Sequence, residues 1–132
     1  MNPFDNVEVN DPGFAYRDLV GQDKWLDWTP TRTSWTDVGT APVVNAKWRD
    51  VGAECQIQVK VVPGTTVATT AGTSYISLPK RAAGLAGAGV MYNATTLVAI
   101  GNCVVDVTNS RLYVPSQTAI GDTIMIVASY QI

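Results

Sequence analysis

The chain has 132 residues, only 15% of them charged, a formal net charge of −2 and no histidine. An ordinary soluble domain is about 25% charged, so part of this surface is covered by uncharged polar residues or by a partner subunit. The near-neutral balance gives no electrostatic reason to expect nucleic-acid binding, and the missing histidine removes the commonest general base and metal ligand, which argues against an enzyme.

Residues 1–24 carry Asp5, Glu8, Asp11, Asp18 and Asp23 among the breakers Pro3, Pro12, Gly13 and Gly21. Such a stretch reads as a short N-terminal arm without long regular elements. Its opening, MNPFDNVEVNDPG, is acidic and lacks the apolar segment of a secretory signal. Phe4, Val7, Val9, Phe14, Tyr16 and Leu19 are scattered through it and are the candidate partner-binding residues. Asp5, Glu8 and Asp11 offer oxygen ligands, but their spacing fits no defined calcium loop. They read as a solvated acidic face.

Residues 25–132 form the second unit. They are rich in Thr, Val, Ile, Trp and Tyr, which suit a pleated, half-buried surface. Turn signals recur at Thr29-Pro30, Val38-Gly39, Asp50-Val51-Gly52, Val62-Pro63-Gly64, Ala71-Gly72, Leu78-Pro79, Asn109-Ser110 and Ile120-Gly121-Asp122. Short strands between closely spaced turns predict an all-β fold, a sandwich or a barrel. The clearest strand is Cys55–Val61: Cys55, Ile57, Val59 and Val61 fall on one face, and Gln56, Gln58 and Lys60 on the other. Leu97–Val107, interrupted at Asn102 and Asp106, and Thr123–Tyr130 are apolar on both faces, so each needs cover on both sides. With no convincing helix to supply that cover, a neighbouring subunit is the simplest source. Nothing reaches the length of an apolar transmembrane helix.

Candidate chemistry is thin. Gly84, Gly87 and Gly89 spell G-x-x-G-x-G, the reverse of the dinucleotide order, with no βαβ pattern around it. They also rule out a stable helix over Ala82–Val90, because each costs about 1 kcal/mol relative to Ala. The stretch reads as a loop that enters a strand near Val90, turns at Asn93-Ala94 and continues as a buried strand from Leu97. Its small residues suit close backbone approach, including between subunits. Lys80-Arg81 reads as a loop cap. Asp50 and Glu54 are the one nearby carboxylate pair and read as a solvated turn. Cys55 and Cys103 lie in apolar runs and read as buried free thiols, too few for a zinc site without histidine. Asn93-Ala94-Thr95 matches the N-glycosylation pattern by chance. Trp25, Trp28, Trp35 and Trp48 read as core and interface rather than sugar-stacking platforms. No cofactor is expected.

From Trp28 on, the phrases WTPTRTSWTDVG, IQVKVVPGTTVATTAGTSYISLP, AAGLAGAGVMYNATTLVAIGNCVV and GDTIMIVASYQI resemble small all-β virion domains of tailed bacteriophages. Gly72–Pro79 and the terminal strand after Gly121-Asp122 carry most of the likeness. The resemblance implies an antiparallel β-sandwich, jelly-roll-like and commonly trimeric, in a capsid decoration (cement) protein or a fibre tip, without catalysis. It implies the major capsid protein and further copies of the chain as partners, no nucleic acid and no membrane, and a place on the virion's capsid surface after assembly in the host cytoplasm. A short arm followed by one β unit favours the cement role over the receptor- or carbohydrate-binding fibre tip.

Overall fold

In a computed structural model, residues 24–84 and 87–132 are described. The arm up to Asp23, with Phe4, Val7, Val9, Phe14, Tyr16 and Leu19, lies outside the described residues. The strands are β1 (Leu26–Trp28), β2 (Arg32–Thr33), β3 (Thr36–Val38), β4 (Val43–Val51), β5 (Glu54–Val62), β6 (Thr66–Thr69), β7 (Tyr75–Ser77), β8 (Gly87–Asn93), β9 (Val98–Asp106), β10 (Arg111–Tyr113), β11 (Gln117–Ile120) and β12 (Ile124–Gln131).

Every strand pairing is antiparallel. One sheet has nine strands in the order β1-β4-β5-β12-β8-β9-β10-β7-β2, and a second has three in the order β11-β6-β3. The large sheet curls, so residues far apart along it share one core with the small sheet. Ile57 and Val59 of β5, Ile126 of β12, Met91 of β8, Leu112 of β10, Ile76 of β7 and Val67 of β6 are all fully buried in one cluster. The architecture is the expected sandwich-like all-β fold.

The alternation expected over Cys55–Val61 is present: Cys55, Ile57, Val59 and Val61 are buried and Gln58 and Lys60 are exposed. Val51 pairs with Glu54, leaving Gly52-Ala53 as a two-residue hairpin loop. Gly52 has φ +61°. Primed turns of this length match the twist of the flanking strands and need that left-handed residue, which glycine adopts without strain. Each of the turn signals read from the sequence falls between strands or begins on the last one or two residues of one.

The glycine-rich stretch departs from expectation at its start. The strand begins at Gly87, three residues before Val90. Gly89 lies opposite Ala128 and Gly87 opposite Tyr130 on β12. A Cβ on Gly89 would come within 2.4 Å of the Ala128 Cβ, and one on Gly87 within 2.5 Å of the Tyr130 Cβ. The close approach invited by these small residues is therefore met inside the chain, where they make room for Ala128 and Tyr130 and the backbone of β12.

Candidate interaction surface

The centre of the large sheet buries one face and leaves the other open. On β8, β9 and β12 the outward positions are those between the buried Met91 and Asn93, Cys103 and Val105, and Ile124, Ile126, Ala128 and Tyr130. Register stacks them in rows: Val127 beside Val90 beside Asn102, and Ser129 beside Ala88 beside Val104 beside Tyr113. None of these residues is charged. Val104 is 61% exposed and Val127 40%. Cationic residues stand at the flank, on the outward positions of β4 and β5: Lys47, Arg49 and Lys60. Arg49 lies 4.5 Å from the Trp25 ring centroid and donates from Nε to Gln56 Oε1 at 2.9 Å. A groove of about 350 Å³ runs from Trp25 and Arg49 to Ala88 and Val127.

The expectation that Leu97–Val107 is a buried strand is corrected here. The strand is Val98–Asp106, and only its inner positions are covered; Val98 is 60% exposed and Leu97, just before it, 80%. Among the described strands, none packs over the outer face of β8, β9 and β12.

Leu97 ends the turn between β8 and β9, at φ +62°. A bulky side chain in the left-handed region is an outlier that costs on the order of 1 kcal/mol or more and persists only where neighbours over-determine it. They do so here. Asn93, 7% exposed, accepts at Oδ1 from the backbone N–H of Thr95 and Thr96, both at 2.9 Å, and at its carbonyl from Leu97 N–H at 2.8 Å. Its Nδ2 donates to Asp122 Oδ2 at 2.9 Å, and Ala94 N–H donates to the Thr123 carbonyl at 2.8 Å. The Asn93 amide is thus buried and engaged, which leaves it a poor glycan acceptor.

The other candidate groups are absorbed by structure. Asp50 sits opposite Cys55 on the inward side, while Glu54, one position along, faces solvent. The two carboxylates are on opposite faces and form no acid–base pair. Asp50 Oδ2 instead receives Lys80 Nζ at 2.5 Å, and Lys80 lies 5.6 Å from the Trp48 ring centroid. Tyr130, 2% exposed, donates to the Lys80 carbonyl at 2.8 Å and accepts from its N–H at 3.1 Å. Burial raises the Tyr130 phenol well above its ordinary range. This cluster ties the Leu78–Ala83 connection to the sheet, as a loop cap would. Asp50 Oδ1 is buried without a partner.

Cys55 and Cys103 are free and buried, and burial pushes the Cys103 thiol up to about 12 and raises Cys55. Trp28, Trp35 and Trp48 pack against the core, half-buried, and Trp25 lies under Arg49. Among the described residues no group of three His, Cys, Asp or Glu is placed to hold a metal ion, and no helix is long and apolar enough to cross a membrane. No protein-family model matches the chain, and no curated protein or solved structure is significantly similar to it.

Sequence reasoning found the doubly apolar strands but missed the Leu97 tip. The signal available was the Asn93 side chain ahead of Ala94-Thr95-Thr96, a spacing suited to capping a turn. Nothing local says that a leucine would close that turn.

Proposed function

We propose that this chain is a structural protein of a tailed-phage virion, most simply a capsid cement or decoration protein that acts by binding and not by catalysis. The observation that carries the reading is the open outer face of β8, β9 and β12, where Ala88, Val90, Val104 and Val127 lie together with only Asn102 and Ser129 interspersed among them. Monomeric soluble proteins rarely leave such a face open, and contiguous apolar area of this kind marks assembly surfaces. A homotrimer would cover it, and the acidic arm of residues 1–24 would help dock the trimer on the major capsid protein, on the virion's outer surface.

The stabilising effect would come from area. Apolar surface buried between neighbouring capsomers contributes about 25 cal/mol per Å², less the ordering costs of association. Repeated over a shell, contacts that are modest singly would oppose the pressure of packaged DNA. Light scattering on the purified chain tests the assembly: a trimer at micromolar concentration is expected, and a clean monomer would contradict it. Removing residues 1–24 tests the arm; undiminished capsid binding would remove its role.

A receptor- or carbohydrate-binding fibre tip is the second reading. It is favoured by the half-buried Tyr75 and Tyr113, edge-to-face at 5.2 Å, with Arg111 4.3 Å from the Tyr75 ring centroid. Aromatic faces beside donors suit sugar rings. Binding on a glycan array that disappears in Tyr75→Ala would support this reading over the cement role.

A further inference from the structure

We propose that the groove from Trp25 to Ala88, on the outer face of the large sheet, is the docking site of the chain's own arm, with residues 14–20 laid across β4, β5 and β12. The inference holds whether or not the chain is a virion protein. It divides the arm in two: residues 14–20 would be held on the sheet, and residues 1–11, ahead of Pro12-Gly13, would be left for the capsid contact.

Three features of the groove point to the arm. The first is where the arm ends. Trp25 lines the mouth of the groove, and only Lys24 separates it from the arm. From β4 to β8 the groove crosses three strand spacings, about 14 Å. Eleven residues lead from Phe14 to Trp25, and fully extended they span up to about 36 Å, which leaves length for the chain to turn. A segment tethered at the mouth meets the groove at an effective concentration in the millimolar range, which a free partner matches only by binding far more tightly. The second feature is charge. The arm up to Asp23 has five carboxylates and one cation, Arg17, whereas the rest of the chain has six carboxylates and eight cations. Lys47 is paired with Asp27, but no described carboxylate pairs with Arg49 or Lys60, which stand on outward positions. Arg49 spends its Nε on Gln56, and its two terminal nitrogens have no acceptor among the described residues.

The third feature is order. In an extended segment Phe14, Tyr16, Asp18 and Val20 share one side. Followed back from Trp25, that side presents Val20 and a carboxylate first and two aromatic rings after them. The groove changes in the same sense: Arg49 stands beside Trp25 at the mouth, and the apolar Val127 and Ala88 lie at the far end. Asp18 would thus meet Arg49, while Tyr16 and Phe14 would cover Val127 and Ala88. Gln56, Gln58 and Ser129 also line the groove and offer donors and acceptors to the backbone of the segment. This mixed lining, open along its length, suits an extended peptide with alternating side chains rather than one apolar side chain. The site leaves Val90 and Val104, farther across the sheet, to a neighbouring copy.

The test uses the full chain. Under mild oxidation, protein carrying Tyr16→Cys and Val127→Cys should form a disulfide within one chain, the native Cys55 and Cys103 being buried. Phe14→Cys with Ala88→Cys is a second pair, in case the first disturbs the sheet. Non-reducing gels separate links within a chain from links between chains, and urea melts followed by tryptophan emission show that each variant is folded. Adding Arg49→Asp should slow the cross-linking roughly fivefold, as the loss of an exposed ion pair does, and Asp18→Arg on top of it should restore the rate. No link within a chain from either pair, or a rate indifferent to Arg49→Asp, would overturn the inference. Links formed only between chains would give the groove to a second copy and overturn it as well. None of these results bears on the copy number in virions, so the virion reading stands or falls separately.

Discussion

Tyr130→Phe tests how the terminal strand holds the connection after β7. Tyr130 is 2% exposed, and phenylalanine fills nearly the same space, so the cavity term is small. What goes is the hydroxyl, which donates to the Lys80 carbonyl at 2.8 Å and accepts from the Lys80 N–H at 3.1 Å. Each bond contributes about 1 kcal/mol net, and more where the freed backbone group stays dry, so the loss should be about 2 kcal/mol. For a folded unit of this size that lowers Tm on the order of 10 °C. Urea melts followed by tryptophan fluorescence, at fixed protomer concentration because association shifts the midpoint, measure it directly. Tyr92→Phe, on the outer face, should change stability by less than about 0.5 kcal/mol. Equal, small effects from both variants would refute the idea that the Lys80 backbone is fastened by Tyr130.

Gly89→Ala should cost about 1–3 kcal/mol in the same melts, since the new methyl meets the Ala128 Cβ and the Val127 carbonyl oxygen within 2.4 Å; a neutral result would mean that β8 and β12 can part freely. Both thiols should resist a soluble aromatic disulfide reagent in the native protein, because Cys55 and Cys103 are buried and their ionisation is pushed up, and both should react once urea unfolds the chain. Asp37 is held below its ordinary value by hydrogen bonds from Arg32, whose two terminal nitrogens reach its two oxygens at 2.8 Å. A depressed carboxyl contributes stability that is complete above the unfolded value near 3.8 and fades as pH falls through the lower folded value. The stability gap between wild type and Asp37→Asn should therefore close in strong acid, and should stay under about 1 kcal/mol at neutral pH because the pair is partly exposed.

Much of the fold was legible because period-two patterning is a local property. Cys55–Val61 announces itself by strict alternation, and the turn pairs at Gly39, Gly52, Gly72 and Gly121 mark where strands stop. Gly87 and Gly89 were less legible. Glycine carries no strand preference, and the need for it appears only when β12 is set against β8, some forty residues away in the chain. The same holds for Asp50 and Lys80, whose pairing depends on how the Leu78–Ala83 connection crosses the sheet. Leu97 was hidden for a different reason. Its neighbours Asn93, Asp122 and Thr123 dictate its conformation, and a sequence pattern cannot show that a local preference has been overruled. The doubly apolar character of β9 and β12 was plain in the sequence; what the fold adds is that the outer side remains open among the described residues.

The count of this chain in purified virions tests the central claim most directly. Quantitative mass spectrometry against the major capsid protein should find hundreds of copies per particle, as a shell-wide cement protein requires. A handful of copies would place the chain in a tail or fibre instead, and none would contradict the virion reading altogether.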